Sequence, residues 1–107
     1  MKYTIKVPRK LKLGVKNIST YFNLNLNIDE NRVGQYSVRE ERIDILPMQP
    51  SSELSICYWH EWLHIIDRQY GCGIGEDNID RMAHGLAEIV EKLGIELDWS
   101  DIKTIQD

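Results

Sequence analysis

The segment His60-Glu61-Trp62-Leu63-His64 sets two imidazoles four residues apart, with a carboxylate directly after the first. On a helix, positions i and i+4 lie one above the other, so both rings can present a nitrogen to a single metal ion. Glu61 sits one residue further round and reaches a water on the metal rather than the metal itself. These types suit zinc-assisted hydrolysis of an amide. The ion lowers the pKa of its bound water and polarises the carbonyl, while the carboxylate takes the proton and passes it to the leaving amine. Two imidazoles and a carboxylate on an otherwise apolar helix are costly to bury unless satisfied, and one Zn2+ satisfies all three together.

A catalytic zinc needs a third protein ligand and an open position. Cys72, Glu76, Asp80 and His84 are the nearby candidates. At about 100° per residue, the apolar stripe of the following helix centres near Ile79 and Leu86, with Glu76 and Asp80 at its edge and His84 turned further toward solvent. Glu76 lies in the first turn, closest to the reversal of the chain, and is the expected third ligand. Asp80, one turn on, is placed to accept the free N–H of His60 or His64 and fix its tautomer. His84 is a further candidate, as an alternative ligand or a transition-state hydrogen-bond donor.

The elements that must position these groups are legible in outline, and the expected class is α+β. Residues 1–46 form the strand-rich part: Tyr3-Ile5-Val7 reads as a half-buried strand ended by Pro8, and Leu11-Leu13-Val15 resumes the same period. Leu24-Leu26-Ile28 alternates with asparagines before a polar loop over 27–31. Tyr36-Val38 and Ile43-Ile45 flank the charged turn Arg39-Glu40-Glu41-Arg42 as a hairpin. A small twisted, mainly antiparallel sheet of three to five strands follows. After Pro47 and Pro50, Ser51 or Ser52 offers an N-cap for a central helix over 52–70. Gly71, Gly73 and Gly75 permit a tight reversal, a second helix runs over 76–93, and Gly94 stops it. The tail over 95–107 carries Leu97, Trp99, Ile102 and Ile105 without a firm period. Folded back, it would bring Asp98 or Asp101 to the open coordination position and hold the enzyme latent, so that removal of residues after Ile95 raises activity; loss of folding on that removal would instead place Trp99 and Ile102 in the core. Trp59 and Trp62, beside the metal residues, are expected to pack the core rather than line a pocket.

With 107 residues, 42% hydrophobic and 28% charged, the chain suits one domain over 1–107. A net charge of −4 argues against nucleic acid as a partner, since phosphate binding needs a basic patch. No apolar run has the length of a membrane span, and no secretory signal is apparent, so a cytoplasmic setting is expected. Cys57 and Cys72 have no paired spacing and read as reduced thiols.

Together, His60-Glu61-x-x-His64 and Glu76-x-x-Ile79-Asp80-x-x-Ala83 resemble the gluzincin metallopeptidases, in which a helix-borne glutamate completes the zinc site and an aspartate one turn later supports a histidine. Residues 34–93 are also similar to the minigluzincins, the ImmA/IrrE-like peptidases and short prophage-encoded proteins with a comparable sheet, central helix and C-terminal helix. The resemblance implies a zincin-like fold and a peptide or protein substrate. It also implies that the strand Arg42-Ile43-Asp44-Ile45-Leu46 binds extended peptide along its edge, which sets Ile43, Asp44 and Ile45 beside the substrate. The spacer between His64 and Glu76 is shorter than in the larger gluzincins. Tyr36, Tyr70 and His84 are candidates for stabilising the oxyanion. The expected function is that of a zinc metallopeptidase with Glu61 as general base; the alternative is a zinc-binding regulatory or interaction protein on the same scaffold, with little or no turnover.

Overall fold

Residues 2–26 and 33–105 are described in a computed structural model of the chain. The order is β1 (Tyr3–Lys6), β2 (Lys10–Leu13), β3 (Lys16–Asn23), β4 (Gly34–Ser37), β5 (Arg42–Ile45), α1 (Ser51–Tyr70), α2 (Glu76–Lys92), β6 (Ile95–Asp98) and β7 (Thr104–Ile105). The class is α+β, as expected. The sheet, however, is mixed rather than mainly antiparallel. In the order β2-β3-β5-β4, the outer pairs β2–β3 and β4–β5 are antiparallel, whereas β3 and β5 run parallel, and β7 joins the end of β3 in parallel. The hairpin of β4 and β5 causes this, because its second strand, not its first, docks beside β3. A separate two-stranded sheet pairs β1 with β6 in parallel.

The hairpin expected around Arg39–Arg42 is present, with Gly34 opposite Ile45 and Ser37 opposite Arg42. Its position in the sheet corrects one expectation about the site. Ile43, Asp44 and Ile45 lie in a central strand, hydrogen-bonded to β3 on one side and β4 on the other, so they offer no free edge to a substrate. Ile43 and Ile45 are fully buried. Asp44 points to the other face by strand alternation, where it pairs with Arg42 at 2.8 Å and accepts from Asn23 Nδ2 at 3.0 Å. Among the described residues, the strand edge beside α1 that pairs with no further strand belongs to β4.

β3, the longest strand, lies where the sequence predicts no element. Ile18 and Thr20 are buried, Phe22 packs on the core, and Asn17, Ser19 and Tyr21 alternate with them. Its neighbours are less regular than expected. β1 is exposed throughout, with Tyr3 and Ile5 turned outward and Val7 buried only after the strand ends. β2 stops at Leu13 because Gly14 turns the chain at φ 62°, which leaves Val15 exposed. Leu24 and Leu26 follow β3 in a turn; Ile28 and the loop over 27–31 lie outside the described residues.

α1 lies across the sheet. Leu54, Cys57, Tyr58, Trp62 and Ile65 recur at helical spacing and bury against Ile18, Ile43 and Ile45. The expected serine cap is absent: Pro50 holds the cap position at φ −56° and ψ 150°, Ser51 is already helical, and no side chain caps the end. Proline suits this place, since the Pro50 carbonyl still accepts from Glu53 and Leu54 N–H. At the other end Gly71 adopts a left-handed conformation at φ 62°, which glycine reaches without a Cβ penalty. The 95–107 tail is structured where described. β6 and β7 join the sheets, and Trp99 and Ile102 complete the core around Tyr58 and Phe22. The latent-tail expectation fails with it, because Asp98 accepts from Ser100 N–H at 2.9 Å and Asp101 faces Lys6 at 3.9 Å. No described helix is long and apolar enough to cross a membrane.

Candidate metal centre

His60 and His64 project from one face of α1, one turn apart, with ring centroids 4.9 Å apart. Glu76 is the first residue of α2, and the reversal between the helices brings it back over them. Asp67 shapes that reversal. Its carbonyl accepts from Gly71 N–H and from Cys72 N–H at 3.1 Å, and its carboxylate accepts from Ile74 N–H at 2.9 Å. Gly75, at φ 86°, then starts α2. Asp67, unflagged by any motif, is thus a positioning residue for Glu76; a carboxylate four residues before a glycine reversal was the available signal.

Three side chains meet. His60 Nε2 lies 3.0 Å from Glu76 Oε1, His64 Nε2 lies 2.8 Å from Glu76 Oε2, and the two Nε2 atoms are 3.1 Å apart. Tetrahedral zinc with bonds of ~2.0–2.1 Å needs ligand atoms about 3.3 Å apart, so these residues fit such an ion with a small outward adjustment. Two imidazole nitrogens and a carboxylate are donor types that zinc takes. In the absence of an ion the same atoms are satisfied by N–H donation from the imidazoles to the two Glu76 oxygens. Asp80 lies behind His60, its Oδ1 3.5 Å from His60 Nδ1. A proton on Nδ1 facing Asp80 would leave Nε2 bare and directed at the cluster. His60, His64 and Glu76 are the one such ligand group among the described residues.

Glu61 points from α1 toward β4. It is 7% exposed, accepts from the Tyr36 backbone N–H, and lies beside Gly34. Burial pushes its carboxyl up to about 7, His60 pulls it back down, Glu76 pushes it up again, and the Tyr36 N–H lowers it. A carboxyl titrating near neutrality is suited to both taking and returning a proton.

The cluster opens into a cleft of about 350 Å³ whose walls include Val33 and Gly34 on one side and Ile56, Cys57 and His84 on the other. Leu46 N–H donates to Val33 O at 2.9 Å, which makes Gly34–Ile45 a pair that does not exchange hydrogen bonds. By alternation, the N–H and C=O groups of Gly34 and Tyr36 then point away from β5, toward the free edge. The edge strand that sequence reasoning sought at 43–45 is therefore 34–37. Its polar Gln35 and Ser37, against two buried isoleucines in β5, were the signal for it.

The remaining candidates fall away from the ligand cluster. His84 lines the cleft but is exposed, and its Nδ1 donates to Asp80 O at 2.9 Å. Cys72 is exposed on the reversal. Tyr70 is exposed beside Gln69, and Tyr36 reaches the site through its backbone, its hydroxyl lying in the surroundings of Glu41 and Arg68. Trp62 is buried in the core and Trp59 packs against it; neither lines the cleft. No family model, curated protein or solved structure matches the chain.

Proposed function

We propose that this chain is a zinc-dependent metallopeptidase of the gluzincin kind, with a zincin-like fold, acting on peptide or protein substrates in the cytoplasm. The observation that carries the reading is the meeting of His60 Nε2, His64 Nε2 and the Glu76 carboxylate within 3.1 Å of one another, with Asp80 behind His60. His60, His64 and Glu76 would hold one Zn2+. The ion supplies an acidified water and a polarised carbonyl when bound.

The chain's own residues do the rest. Glu61 stands beside that position without joining the ligand cluster, takes the proton of the attacking water and delivers it to the leaving amine. The outer edge of β4 would hold an extended peptide by main-chain pairing through Gly34 and the Tyr36 carbonyl, a mode that asks little of the substrate's sequence; the Tyr36 N–H is engaged by Glu61. Asp80 keeps His60 in the ligating tautomer.

Metal analysis and cleavage of a mixed set of internally quenched peptides test this together. Wild type and Glu61→Gln should both hold one equivalent of zinc, with cleavage reduced about 10²–10⁴-fold in the variant. No tightly bound metal in the native protein would overturn the zinc site. Equal cleavage by both proteins would remove Glu61 from its role, and zinc without any cleavage would favour the regulatory reading.

A further inference from the structure

A second cavity, of about 470 Å³, lies between the first turn of α1, the C-terminal half of α2 and β6. Ile56 and His84 line both this groove and the metal cleft, so an extended chain leaving one enters the other. Its wall includes the apolar side chains of Val90, Leu97 and Trp99, and its charged groups are Lys2 against Glu88, Glu91 and Glu96. Glu88 is already paired with Lys92 at 3.3 Å. Glu91 and Glu96 are exposed and have no ion pair among the described residues.

We propose that this groove is a substrate subsite that selects a basic side chain about five residues from the scissile bond, an inference that rests on the peptidase reading above. Lysine and arginine carry an aliphatic stem that lies along an apolar wall and a charged head that stays in water, which matches an apolar groove with carboxylates at its rim. The α1 N-terminus, with its exposed serines, favours an anion on that side, but the three glutamates outweigh it and Lys2. The chain's net charge of −4 favours encounter with a cationic peptide. Glu91 stands about 16 Å beyond Asp80 along α2 at 1.5 Å per residue. An extended peptide covers that in about five residues at ~3.3 Å each.

The test uses zinc-loaded full-length protein and internally quenched dodecapeptides in which each position in turn carries Lys, Ala or Glu. Wild type should prefer Lys over Glu about threefold to tenfold at one position four to six residues from the cut, the range for partly exposed ion pairs acting together. Glu91→Gln with Glu96→Gln should bring the Lys-to-Ala ratio near one, and Glu96→Lys should reverse the preference toward Glu. Equal cleavage of Lys and Glu peptides, or a preference that survives the double substitution, overturns the subsite while leaving the peptidase intact. If wild type cleaves nothing, the peptidase reading fails, and fluorescence anisotropy decides the groove separately. A fluorescein-labelled lysine-bearing dodecapeptide should bind wild type more tightly than the double variant, and equal affinities overturn the proposal.

Discussion

On its sheet side α1 buries Leu54, Tyr58, Trp62 and Ile65 against Ile18, Ile43 and Ile45, with Phe22 and Trp99 closing the periphery. On its α2 side the buried apolar set is Leu63, Ile79 and Ala83, with Ile56, Trp59, Ile66 and Ile74 partly buried against it, and beside this packing His60 and His64 meet Glu76 and Asp80. At ~1.5–3 kcal/mol for each large apolar side chain buried, the first contact is sufficient in itself. The second has fewer fully buried apolar side chains, and its ionisable groups are arranged around a shared point. The same helix thus anchors to the sheet by packing and to α2 partly through a site. A bound cation would therefore serve as a fastener for α2 as well as a reagent.

The largest effect should come from the packed side. Trp62→Ala should lower unfolding free energy by about 3–5 kcal/mol in a urea titration, with α1 and α2 melting together. A change within about 1 kcal/mol would remove the contrast between the two interfaces. Zinc should act on the other side: at a hundredfold excess over its Kd it should raise stability by about 2.7 kcal/mol. Hydrogen exchange should localise the added protection to residues 71–80, and protection spread evenly over β3 and β5 would contradict the fastener.

Asp80→Asn tests the support behind His60. A competition titration should show zinc binding weakened about 10–100-fold, or ~1.4–2.8 kcal/mol, with the circular dichroism spectrum intact. Unchanged affinity would separate Asp80 from the site.

The smallest effect concerns the two thiols. Burial pushes Cys57 up to about 11, the neighbouring Gln49 pulling it down and Glu61 and Glu53 pushing it up, while Cys72 is exposed. The fold therefore favours the neutral Cys57 thiol. That contribution is fully present below the unfolded value near 9 and is lost as pH rises toward 11. At pH 8 a maleimide should label one thiol in the native protein and two in denaturant. Two native labels at pH 8 would show that the packing around Cys57 opens readily.

Local signals carried the helices and the hairpin, because each is specified by residues near in sequence. The apolar spacing of α1, the glycines at 71–75 and the charged turn at 39–42 all lie within the elements they define. β3 and the tail were not legible in this way. Ile18 and Ile102 are buried through partners distant along the chain, and β6 exists because β1 is available to pair with it. The serine cap failed for a related reason, since a proline at 50 already supplied the carbonyl that the first turn needed.

The meeting of His60, His64 and Glu76, with Asp80 behind it, follows from helical periodicity and a short reversal, both of which are properties of local sequence. Which strand presents its edge to that set does not. The edge depends on whether β4 or β5 docks against β3, a choice between two pairings of similar local pattern that burial of Ile43 and Ile45 decides in favour of β5. That choice leaves β4 as the outer strand among the described residues, puts the Tyr36 N–H on Glu61, and moves the edge beside the cluster from residues 43–45 to residues 34–37.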